Sequence, residues 1–103
     1  MFVEKRKPHH DLGAMKTQFS TLDGVRVTKS AMKDAQALGF TLAMMMEVIR
    51  SMRPGQFYKS MTSLADHTQW QDVYHVPWEH LLLYVKFTDD RITEFLLLSF
   101  KEK

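Results

Sequence analysis

A chain of 103 residues supports one domain, because two would leave neither with a core. Its 45% hydrophobic content is too high for a disordered protein, and the absence of cysteine excludes disulfides and thiolate metal sites. The formal charge of +2 is a mild basic bias that permits a polyanionic partner without requiring one.

Residues 1–9 read as a flexible tail, with Lys5, Arg6 and Lys7 solvated and His9-His10 inert. Pro8-His9-His10-Asp11 follows the cations where a secretion signal would need an apolar stretch. The longest apolar runs, residues 42–46 and 81–85, fall far short of a membrane span. A cytoplasmic protein without a membrane partner is the expectation.

Asp11 is placed to cap a first helix over residues 12–22, with Leu12, Met15, Phe19 and Leu22 on one face. Asp23-Gly24 signals a turn, and Val25-Arg26-Val27 suits a short edge strand. Thr28 or Ser30 then caps a second helix through Leu38, stopped by Gly39, with Ala31 and Ala35 allowing close packing. Thr41 caps a third helix over residues 42–52, in which Met45, Val48, Ile49 and Met52 follow helical periodicity and Phe40 is placed as a staple. That periodicity explains the methionine run as core filling.

Pro54-Gly55 marks the change from helices to strands. Residues 57–63 and 70–76 read as the first two strands, joined by a connector carrying Asp66 and His67. Pro77 is expected to end the second, with Trp78-Glu79-His80 as a connection. Residues 81–88 form a third strand, Asp89-Asp90-Arg91 a turn, and residues 92–100 a fourth. Helices followed by strands on short turns predict an α+β fold, with N-terminal helices on one face of a twisted antiparallel sheet.

The phosphate-binding loop, dinucleotide, zinc-protease and serine-hydrolase motifs are all absent. His67, His75 and His80 lack metal-ligand spacing, so no metal and no cofactor is expected. Asp66-His67 reads as a turn in which Asp66 bonds nearby amides. Strand alternation puts Lys59 with Phe57 and Met61, Gln71 with Val73 and His75, and Tyr84 with Leu82 and Lys86. It also puts Lys101 with Leu97 and Ser99, leaving Leu96, Leu98 and Phe100 as the better core face. Lys59, Gln71, Tyr84 and Lys101 thus come one from each strand. If their registers agree, two ammonium groups, a phenol and an amide share a face. Such a set suits an RNA phosphodiester, with the ribose 2′-OH as nucleophile and no metal required.

Several ordered blocks resemble the MqsR toxin family: E-K-R-x-P-H at 4–9, Arg26-x-Thr28-x-Ser30-Ala31, F-Y-K-S-M-T at 57–62, D-H-T at 66–68, W-Q-D-V-Y at 70–74 and S-F-K-E-K at 99–103. The third helix and residues 76–81 depart from the family pattern. The resemblance implies a RelE/YoeB-like mRNA interferase from a bacterial toxin–antitoxin pair that prefers GC-containing triplets. It implies catalytic roles for Lys59, Gln71, Tyr84 and Lys101, and a zinc-carrying, DNA-binding, MqsA-like antitoxin as partner, with DNA met only through that antitoxin. Secondary RNA contacts are expected from His67, Lys86 and Arg26. The competing expectation is a non-catalytic module that binds RNA on the sheet face or a protein strand at an edge.

Overall fold

The structure is a computed structural model that describes residues 3–90 and 93–103. The expected turn at Arg91 and the expected strand start at Ile92 lie outside the described residues. Element order is β1 (Glu4–Lys5), α1 (Leu12–Gln18), α2 (Lys29–Ala37), α3 (Leu42–Ser51), β2 (Phe57–Thr62), β3 (Trp70–Trp78), β4 (Leu81–Asp89) and β5 (Phe95–Glu102). The strands make one antiparallel sheet in the order β1-β2-β3-β4-β5. This is the α+β architecture expected, with one strand more.

Each helix starts where a side-chain oxygen meets a free amide. Asp11 Oδ1 accepts from Ala14 N at 3.1 Å, Thr28 Oγ1 from Ala31 N at 3.1 Å, and Thr41 Oγ1 from Met44 N at 3.2 Å. Gly39, at φ +88°, ends the α2 turn: its N–H reaches Gln36 O while Phe40 N reaches Ala35 O. Phe40 then packs edge-on against Phe100 of β5.

Helix α1 stops at Gln18, a turn earlier than expected, and Leu22 is exposed. The Gln18 amide explains this. It donates to Gly24 O and Phe95 O and accepts from Phe95 N, so the chain doubles back over residues 22–24. A side chain on Gly24 would collide with the Gln18 carbonyl. The segment expected as an edge strand makes one parallel bridge, Val27 to Leu97, flanked by bonds from Leu97 N to Arg26 O and from Thr28 N to Leu97 O.

Two irregularities in the ladder set which side chains face the helices. Between Phe57 and Lys59 the β2–β3 register slips by one, so Phe57 turns into the core against Tyr74 while Lys59 faces the open side opposite Val73. The expectation that Phe57 shares a face with Lys59 is therefore corrected. A second slip on β5, opposite Lys86 and Phe87, brings Leu97 into the core beside Phe100 and leaves Leu96 opposite Thr88. The expected core set of Leu96, Leu98 and Phe100 is corrected in turn. Pro77 does not end β3; it pairs with Leu82, and the chain reverses at Glu79, φ +54°. β2 has already ended beside this part of β3, so a missing N–H there interrupts no ladder.

The core lies between the helices and one sheet face: Met15, Phe19, Ala31, Ala35, Met45, Val48, Ile49 and Met52 meet Tyr74, Val76, Leu83, Val85, Phe87, Leu97 and Phe100. For the described residues 3–9 the reading as a tail is overturned. Glu4 and Lys5 pair with Met61 and Ser60, and Val3 and Thr62 exchange hydrogen bonds. His9 and His10 are not inert: both backbone amides donate to the buried Asp72 carboxylate, which also accepts from Ser60 Oγ at 2.6 Å. The His10 ring bonds Trp70 O and packs on Phe87 and Phe95.

Asp72→Ala strands these donors in a buried site, and we expect it to cost about 2–4 kcal/mol. Urea denaturation measures the loss, and limited proteolysis is expected to cut the released N-terminus first.

Candidate functional site on the open sheet face

With the helices on one side, three cross-strand rows of the other sheet face bear on the site. Lys59, Val73, Lys86 and Ser99 form the middle row. His75, Tyr84 and Lys101 form the row below, joined by Tyr58, which the β2 irregularity turns onto His75. Met61, Gln71, Thr88 and Leu96 form the row above. Strand spacing puts the backbones of Lys59 and Lys86 about 10 Å apart, within reach of one nucleotide for two long side chains.

The four residues singled out from the sequence all lie on this face. Tyr84 and Lys101 are direct partners, with Lys101 Nζ 5.5 Å from the phenol ring. Lys59 is one row and two strands from Tyr84, and its charge draws the phenol's pKa down. Gln71 stands apart, one row beyond Lys59. It lines a hollow of about 520 Å3 with Met61, Leu64 and Lys86. Of the secondary candidates only Lys86 joins the cluster. His67 is exposed on the β2–β3 loop, where Asp66 accepts from Thr68 N and Oγ1 as the turn reading expects. Arg26 lies at the β5 edge, its Nε 3.0 Å from Asp90.

Electrostatics separates the groups by role. Lys59 is paired with Glu4 on the neighbouring edge strand, and that hydrogen bond pushes its pKa up, so its charge is held firmly. Lys86 is the reverse: burial, then the charges of Lys101 and Lys59, push its pKa down. Burial raises the Tyr84 pKa despite Lys59. Two lysines, a third whose charged form burial and its neighbours disfavour, and a phenol that keeps its proton thus share one surface.

Sequence reasoning missed Glu4 and Tyr58 as parts of this face, and placed His75 on it without giving it a role there. Glu4 fell in the supposed tail. Regular alternation put Tyr58 on the wrong side, because one extra residue in a strand leaves no compositional mark. Alternation puts His75 on the Gln71 face, where the only role considered for it was that of a metal ligand.

An open face of lysines beside aromatic rings on a small α+β sheet has the chemistry that suits single-stranded nucleic acid. Residues 7–102 match the family model described as motility quorum-sensing regulator, toxin of MqsA. The chain is 42% identical over 101 residues to the mRNA interferase toxin MqsR of Escherichia coli (strain K12), covering 98% of this chain and 100% of that protein. It belongs to the MqsR toxin family.

A lysine with a lowered folded pKa carries a cost to stability below that pKa, relieved as pH rises through it toward the unfolded value. Lys86→Met is therefore expected to raise the urea midpoint at pH 7. The gap to the unsubstituted protein should narrow as pH rises toward 10.5, read from denaturation curves at stepped pH.

Proposed function

We propose that this protein is the toxin of a toxin–antitoxin pair and cleaves messenger RNA by attack of a ribose 2′-OH on the adjacent phosphate. The observation that carries this reading is the convergence of Lys59, Lys86, Lys101 and Tyr84 on one face. The 2′-oxygen bonds to phosphorus and the bond to the 5′-oxygen breaks, leaving a 2′,3′-cyclic phosphate and a 5′-hydroxyl. The nucleophile is the substrate's own hydroxyl, so the step needs no metal.

Lys59 and Lys101 bind the non-bridging oxygens, on which charge builds in the transition state. Lys86, between Lys59 and Lys101, accepts the 2′-OH proton in the fraction of molecules where it is deprotonated, a fraction that burial and those two charges enlarge. Tyr84 keeps its proton at neutral pH and donates it to the departing 5′-oxygen. Gln71, which lines the hollow, orients the ribose or base of a neighbouring nucleotide. GC-containing triplets are the expected targets. The partner is a cognate antitoxin of the MqsA kind, which carries the zinc and contacts DNA, and the compartment is the bacterial cytoplasm. No helix among the described residues is long and apolar enough to cross a membrane.

Purified protein is expected to cleave RNA in EDTA, and a 2′-deoxy substitution at the cleaved nucleotide should block it. Lys59→Ala and Lys101→Ala should each lower kcat/KM by about 10²–10³-fold. Tyr84→Phe should lower kcat by about 10²-fold or more with little change in KM. RNA left intact by the purified protein, or cut equally well with the 2′-deoxy substitution, overturns the proposal.

A further inference from the structure

We propose that Tyr58 and His75 form a stacking platform for one unpaired base of the RNA, beside the linkage that is cut. The proposal rests on the ribonuclease reading for its substrate class and adds a base subsite to it.

The two rings stack with centroids 4.3 Å apart and planes at 23°, and Tyr84 follows 6.1 Å from His75. Three aromatic rings therefore run across β2, β3 and β4, ending at Lys101 on β5. The hydrophobic core does not require the first of them. Tyr58 is 42% exposed, points away from the helices and reaches His75 only because the β2 irregularity turns it there. An exposed tyrosine in that setting is spare π-surface.

Its surroundings specify the ligand. Lys59 Nζ lies 5.4 Å from the Tyr58 ring and the Arg6 guanidinium 5.7 Å from it. Burial and the charge of Lys103 lower the His75 pKa, so the imidazole is neutral near pH 7 and offers a flat ring rather than another phosphate-binding cation. A π-surface bordered by the exposed Arg6 guanidinium and by Lys59, itself paired with Glu4, matches a base with its phosphates on either side. The spacing agrees. The aromatic row and the Lys59–Lys86 row are two residues apart along the strands, about 6.7 Å, which one extended nucleotide spans.

The experiment uses a single-stranded oligoribonucleotide made uncleavable by 2′-O-methyl groups, with 2-aminopurine placed at successive positions. Fluorescence should be quenched by the protein at one position. Tyr58→Phe and His75→Phe, which keep the rings, should bind as the parent does. Tyr58→Ala and His75→Ala should weaken binding by about 10- to 100-fold. In cleavage assays an abasic nucleotide at the quenched position should raise KM by a similar factor, and combining it with Tyr58→Ala should add no further loss. Urea midpoints of all variants separate lost stacking from lost folding.

Quenching at no position overturns the platform. So does a phenylalanine variant as weak as its alanine counterpart, or losses from Tyr58→Ala and the abasic nucleotide that multiply. If quenching and its variant pattern appear but natural RNA is never cut, the platform stands and the ribonuclease reading falls. Cleavage without quenching sinks the platform alone.

Discussion

A sheet covered by helices on one side has to divide its side chains in two, because every second residue of a strand faces the same way. Here the apolar set goes to the helices and leaves a surface whose residues need satisfy no core. That division is what lets lysines from β2, β4 and β5 stand together. Each ammonium group would resist its neighbours in a buried setting; burial first, then the charges of Lys101 and Lys59, lower the Lys86 pKa, so part of this cost remains on the half-buried face. The cost is tolerable because the face opens to water and because one of its lysines has a carboxylate beside it.

That carboxylate ties the site to the N-terminal segment. Glu4 sits on β1, which exists because Asp72 anchors the chain that follows it through the His9 and His10 amides. Asp72 is on the core side of β3, while its neighbours Gln71 and Val73 face outward. One strand therefore carries the buried anchor on one face and the site on the other. Loosening the anchor frees β1, removes Glu4 from Lys59 and changes the charge balance of a surface that Asp72 never touches. A stability mutation and a site mutation are harder to separate here than their positions suggest.

Much of the architecture was legible in the sequence because its signals are local. Asp11, Thr28 and Thr41 cap the three helices as expected, and Gly39 stops the second. The outward set of β3 and β4 followed from alternation, so Gln71, Tyr84 and Lys86 fell on one face as the spacing implied. What stayed hidden was non-local. The end of α1 is decided by Gln18 reaching Phe95, a partner 77 residues away. The pairing of Glu4 with Met61 depends on a carboxylate from a third strand. Pro77 looked like a strand end because its lack of an N–H matters only when a partner waits on that side, which composition cannot show.

The two ladder irregularities are the sharper case, since each changes the chemistry of the open face. Without the slip on β2, strict alternation would carry Phe57 outward with Lys59 and turn Tyr58 toward the helices. The core would gain a phenol in need of a partner and lose a ring that now packs on Tyr74. Without the slip on β5, Leu97 would leave the core it now shares with Phe100. The extra residue in each strand thus serves both faces together: it returns an apolar side chain to the helices and lets a lysine on that strand face outward. Selection for packing alone would accept either irregularity for the first reason. On β2 the lysine so placed is Lys59, turned toward the other two lysines of the same face and paired with Glu4.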